Sequence, residues 1–364
     1  MRFIIISILL ISAVLLSFKT TQKENPISSA NDSLRYPQEK HLANMRQLTF
    51  GGDNAEAYWS FDGTMVSFQS NNKKWGLGCD QIFYLPIDTD LRDGRKPALI
   101  STGLGRTTCS FFLPGNKTVL YASTHLGSKV CPIEPERTPG GKYLWPIYDT
   151  YDIFVADLGG NILKQLTSTP GYDAEATISP KKDKIVFTST RNGDLDLYVM
   201  DINGKNVKQI TNELGYDGGA FFSPDGKKIV FRASRFTTVE QKKEYLDYLK
   251  QGLVAPTAME IFVCHADGTG LKQITHLGKA NWAPFYHPAG KKIIFSSNHK
   301  GTRGFEFNLF MINEDGTGLE QITYDKVFES FPMFSPDGKK IIFSSNRNNG
   351  GTRDTNLFIA DWVE

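Results

Sequence analysis

The sequence predicts an all-β protein: a six-bladed β-propeller of four-stranded antiparallel blades, its ring closed by an N-terminal strand that completes the last blade. Three observations carry the prediction. The segment "FFSPDGKKIVFRASR", Phe221 to Arg235, returns almost unchanged as "MFSPDGKKIIFSSNR", Met333 to Arg347. Four further segments, starting at Tyr58, Phe111, Thr177 and Phe285, align with these two without a gap. The sixth unit stops at a third strand, and the piece it lacks stands before the first hairpin as "MRQLTF".

Each unit has the same parts in the same order. An apolar run leads into a Pro-Asp-Gly-like turn and then a strand rich in Val, Ile and Phe. Pro presets one turn residue and Gly supplies positive φ, so the pair reads as a β-hairpin. A third strand follows, as in "DLYVMDINGK", "EIFVCHADGTG" and "NLFMINEDGTG", and a short fourth strand after it, as in "LKQLT", "VKQIT" and "LKQIT". Four-stranded units at about 40–45 residues mark propeller blades. One such sheet cannot bury both faces, whereas six packed around an axis can, and closure removes the open edges.

The chain has 364 residues, 40% of them hydrophobic, and a net charge of +2. So balanced a charge argues against a nucleic-acid partner or an acidic membrane surface. Residues 1–18 contain "FIIISILLISAVLLSF" between Arg2 and Lys19 and read as a signal peptide or an N-terminal anchor. Residues 19–44 read as a linker. The propeller, 45–364, is therefore expected in the periplasm or secreted, with membrane contact only through an uncleaved N-terminal segment. Cys79 and Cys131 lie in loop-like contexts and form the candidate disulfide; the alternative is four free, mostly buried thiols.

The repeat resembles the PD40, WD40-like repeat of the TolB propeller, in "SPDGKKIVF", "IFV", "DG" and "QIT", from Arg46 to the C-terminus. Similar repeats occur in the propellers of tricorn and prolyl-oligopeptidase-type proteases. TolB-type proteins place an α/β domain ahead of the propeller, where this sequence has a linker. That departure argues against a role in a Tol–Pal complex. The proteases need a G-x-S-x-G elbow, which is missing here. The resemblance implies an exported, non-enzymatic, monomeric scaffold that binds a protein or peptide of the cell envelope through its channel-mouth face. The alternative is an extracellular carbohydrate-active enzyme, a lyase on acidic oligosaccharides, as in the propeller family of oligogalacturonate lyases with their His-bound metal.

Candidate site residues follow from the hairpin register. The second strands end in Asn72, His125, Arg191, Arg235, His299 and Arg347; Asp53, Glu56, Asp173, Glu175, Asp217, Asn281 and Glu329 lie near the starts of the first strands. A ring of Arg and His interleaved with carboxylates is expected at one mouth of the channel. Either each Arg pairs with the acid of its own blade, or the ring presents charge to a partner. His125 and His299 stand three blades apart, too far to converge on one metal, and the acidic turns lack the closing Glu of an EF-hand, so neither a metal nor a cofactor is expected. Two insertions, near 126–150 and 236–257, follow second strands and should wall the same face, with Trp145 and Tyr143 as contact residues. The second carries Tyr245, Leu246 and Leu249 at helical spacing.

Overall fold

The computed structural model describes residues 33–135 and 141–364. The predicted leader, residues 1–18, and most of the linker lie outside the described residues. Six four-stranded antiparallel sheets stand around one axis. Blade 1 runs outward from Asp53–Trp59 through Met65–Asn71 and Gln81–Pro86 to Ala98–Leu99. The innermost strands of blades 2 to 6 are Thr107–Phe112, Asp173–Ile178, Asp217–Phe222, Asn281–Tyr286 and Glu329–Phe334.

Closure is made by the outer strand Leu42–Gln47, which pairs antiparallel with Asn356–Trp362 of blade 6. Arg46 stands opposite Ile359 and Gln47 opposite Phe358. The N-terminal strand thus covers an edge that would otherwise be open.

The recurring residues have identifiable work. In the Ser-Pro-Asp-Gly turns, Asp225 Oδ1 accepts from Ser223 Oγ (2.7 Å) and from the Lys227 amide (3.0 Å), and Asp337 repeats the pattern. Gly226 and Gly338 follow at φ 69° and 72°, where a Cβ would strain the turn. The threonine of "QIT" staples the fourth strand to the third. Thr211 Oγ1 accepts from the Leu197 amide (2.9 Å), and Thr167, Thr275 and Thr323 do the same in their blades. Thr49 of the N-terminal strand fills this role for blade 6, accepting from the Leu357 amide at 2.9 Å.

Between strands two and three an aromatic pair recurs: Phe68–Phe83, Phe187–Tyr198, Phe231–Phe262, Phe295–Phe310 and Phe343–Phe358, with ring centroids 5.9–6.0 Å apart. The second-strand members are fully buried between blades. Each pair adds about 1 kcal/mol beyond its area.

The two insertions join each other. Trp145–Pro146 of the first pairs with Leu253–Val254 of the second, and the Ile147 amide donates to Gly252 O at 2.7 Å. The second insertion also carries the helix Val239–Leu249, started by a capping box of Thr238 and Gln241. Its Tyr245 is buried and donates to Asp194 of blade 3. Lys142 of the first insertion meets Glu244 of the helix. The insertions of blades 2 and 4 therefore make one strap. Cys79 of blade 1 and Cys131 of the first insertion are joined as a disulfide, while Cys109 and Cys264 are free and buried.

Candidate functional site

Each innermost strand carries a β-bulge at its third residue or its structural equivalent, where the register with the second strand shifts. The bulge residues are Glu56, Cys109, Glu175, Gly219, Ala283 and Phe331, with φ between 44° and 59°. Five of the six are not glycine, and a left-handed conformation costs each about 1 kcal/mol. A bulge re-aims a side chain. Three of these residues, Glu56, Glu175 and Phe331, line a cavity of about 1020 Å³ that the strap walls on one side.

The floor of the cavity depends on two adjacent glycines. A Cβ at Gly218 would lie 2.2 Å from Glu175 Oε2, and one at Gly219 would lie 2.1 Å from Arg232 Nη1. The Arg232 guanidinium therefore occupies the space that the bulge side chain takes in other blades. Arg232 Nη2 donates to Glu175 Oε1 (2.6 Å) and to the Tyr216 hydroxyl (2.7 Å), and Tyr216 donates to the same carboxylate. Glu175 Oε2 accepts from Thr188 Oγ1 (2.9 Å) and the Gly219 amide (2.8 Å). The guanidinium also lies over the rings of Trp145 and Tyr216, 5.2 and 5.3 Å from their centroids. Burial alone would lower the Arg232 pKa; Glu175 and Tyr216 outweigh it, so the group stays charged.

Glu56 differs. Its Oε2 accepts from the Tyr58 hydroxyl and from the Cys109 thiol, both at 2.8 Å. Burial raises its pKa, with the two hydrogen bonds and Arg232 pulling the other way. Burial also pushes the Tyr58 hydroxyl and the Cys109 thiol well up, so both remain neutral donors. Higher in the cavity Arg106 bridges Asp80 (3.2 Å) and Glu134. The wall from blades 5 and 6 is aromatic: Trp282 stacks on Phe307 with centroids 4.3 Å apart, and Phe328 lies between Phe307 and Phe331. Trp145 leans from the strap onto Trp282 at 5.0 Å.

The ring read from the sequence lies elsewhere. Arg191 holds both oxygens of Asp173 (2.9 and 3.0 Å) and rests on the Tyr198 ring. Arg235 holds Asp217 and Glu213 and rests on Phe262. Arg347, nearly sealed from solvent, is clamped between Glu329 and Glu39 of the N-terminal segment and lies over Phe343. His125 and His299 bond Ser123 and Ser297 (2.9 Å each) and tilt onto Phe154 and Phe310. Burial lowers both histidine pKa values, keeping the rings neutral at pH 7. None of these five side chains lines the cavity, nor do Asp173, Asp217 and Glu329, whereas Glu175 and Trp145 do. Among the described residues no three His, Cys, Asp or Glu side chains converge as a metal site.

The sequence reading missed Arg232, Tyr216 and Trp282. A signal for the first was present. Arg232 pairs with Gly218, and the equivalent positions hold Gln69, Ala122, Thr188, Ser296 and Ser344. The one cation of that set lies opposite Gly218-Gly219, the one Gly-Gly within the six innermost strands.

The closed six-bladed ring, with a strapped cavity at one mouth, defines the molecule as a β-propeller. In comparison with known proteins, residues 135–233 match the PD40 model, described as the TolB β-propeller domain. The structure assigned as TolB from Agrobacterium tumefaciens is 18% identical, with 86% of this chain and 91% of that one covered and a TM-score of 0.55. TolB from Acinetobacter baumannii is 19% identical at a TM-score of 0.50, with 86% of this chain and 64% of that one covered. An oligogalacturonate lyase in complex with manganese is 15% identical at 0.45, covering 86% and 90%. At these identities the likeness is one of fold. A comparison with curated proteins finds no match.

Proposed function

We propose that this protein is an exported, non-enzymatic, monomeric binding protein whose partner, a protein or peptide of the cell envelope, docks over the strapped mouth and inserts a segment into the cavity. The observation that carries this reading is the strap. Two insertions from different blades pair with each other over a cavity of about 1020 Å³, large enough for several side chains. Its lining offers aromatic anchors beside charged and polar groups, the composition of binding hot spots. The Cys79–Cys131 bond supports an oxidising compartment, and among the described residues no helix is long and apolar enough to cross a membrane. The blade-end residues Arg191, Arg235, Arg347, His125 and His299 brace the loops of the docking face.

The test is site-directed photo-cross-linking in the native envelope. A photoreactive residue at exposed Tyr143 should capture a discrete partner, and Trp282→Ala should abolish the capture. Stoichiometric metal in the purified protein together with turnover of uronate oligomers would instead establish a lyase.

A further inference from the structure

One inner carboxylate of the cavity has no bonded cation among the described residues. Glu175 is matched by Arg232, and Asp80 by Arg106. The two lysines at the mouth are also engaged: Lys142 with Glu244, and Lys279 with the carbonyl of Gly301 at 2.9 Å. Among the described residues Glu56 has no cation bonded to it. Both of its hydrogen bonds fall on Oε2 and come from neutral donors, and among the described residues Oε1 takes none. Glu56 nonetheless remains partly open to the cavity it lines. Arg232 and Arg106 each have a spare Nε–H, but both atoms are shut off from solvent. Asp53 also lines the cavity but is exposed, so the inner carboxylate without a bonded cation, among the described residues, is that of Glu56. Blade 6 adjoins blade 1, so the neighbour of Glu56 around the ring is Phe331, backed by Phe328, Phe307 and Trp282. A half-buried carboxylate beside an aromatic wall is the chemistry that recognises an organic cation.

We propose that the cavity takes a cationic group carried on an apolar body, its charge against Glu56 Oε1 and its apolar part against Phe331 and Trp282. Under the binding reading, on which this inference rests, the group is a lysine, arginine or terminal-amine end of the partner segment. A free amine of the same shape would use the same contacts.

The test uses the full chain and three probes of one shape: phenethylamine, phenethyl alcohol and hydrocinnamate. Titration calorimetry at pH 8 should show the amine bound at least about 10-fold more tightly than the alcohol, with hydrocinnamate weakest. Glu56→Gln, which keeps the size and the acceptor for Tyr58, should erase the preference of amine over alcohol. Trp282→Ala should weaken amine and alcohol alike. Equal binding of amine and alcohol by the wild-type protein, or tighter binding of hydrocinnamate, overturns the proposal, and this arm needs no variant to fold. The partner arm separates the two claims. Cross-linking from Tyr143 that depends on Trp282 but not on Glu56 overturns the cationic ligand and leaves the binding reading intact. An amine preference without any Trp282-dependent partner supports the cationic site and overturns the partner.

Discussion

Two sets of buried charges differ in kind. The blade-end set recurs: Arg191, Arg235 and Arg347 each close on an acid of their own blade and lie over an aromatic ring, with histidines in the same place in blades 2 and 5. The channel set does not recur. Arg232 stands over a glycine pair that only one innermost strand carries at its bulge, against a glutamate from the blade before it. What repeats in every blade holds the blade together, and what departs from the repeat shapes the site. The same contrast sorts the aromatics, since the pairs at about 6 Å are periodic and the Trp282–Phe307 stack is not.

The largest effect should come from breaking the channel pair. Arg232→Leu leaves Glu175 buried with no cation, a loss of about 3–5 kcal/mol, measurable by chemical denaturation. The double variant Arg232→Leu/Glu175→Gln should recover much of that loss. If the single variant is neutral, the pair is not a structural unit.

Comparing two members of the blade-end set sharpens the picture. Arg347→Gln strands both Glu39 and Glu329 and should cost about 3–5 kcal/mol. Arg191 keeps 15% exposure against a single partner, so Arg191→Gln should cost about 1–2 kcal/mol. Equal losses would mean that Glu39 contributes nothing.

Next comes the covalent link. Cys79→Ser/Cys131→Ser opens a loop of 52 residues and should cost about 2–4 kcal/mol without changing the sheet signal in circular dichroism.

The smallest effect is in pH. Burial, with Asp217 and Asp194 adding to it, raises Asp196 to about 7; burial, opposed by Arg235, raises Asp217 to about 6. The folded chain then keeps protons that the unfolded chain, with aspartates near 3.9, has lost. Their contribution is complete below pH 4 and is lost as pH rises to about 7. Asp196→Asn should therefore stabilise by about 1 kcal/mol at pH 8, after allowance for solvent screening, and by about a third of that at pH 5. A gain at pH 5 as large as at pH 8 would contradict this.

Much of the fold was legible because its determinants are local and periodic. The Asp-Gly turns, the Thr staples and the missing sixth "QIT" each report a contact within one blade or the next. The Asp173–Arg191 pair was legible for the same reason. The cavity was not, because it is assembled across blades. No spacing rule brings Glu56 of blade 1, Arg232 of blade 4 and Trp282 of blade 5 to one axis. Nor does any pattern show that Trp145 and Val254 would pair. The bulge that turns the third residue toward the channel leaves no mark in composition, and only Gly218-Gly219 opposite Arg232 signalled it.

The most direct test is to run the Tyr143 cross-link in parallel on Trp282→Ala and Arg191→Gln. A partner lost from the first and kept by the second is the predicted result. A partner kept by Trp282→Ala and lost from Arg191→Gln would place recognition on the blade-end ring and contradict the account.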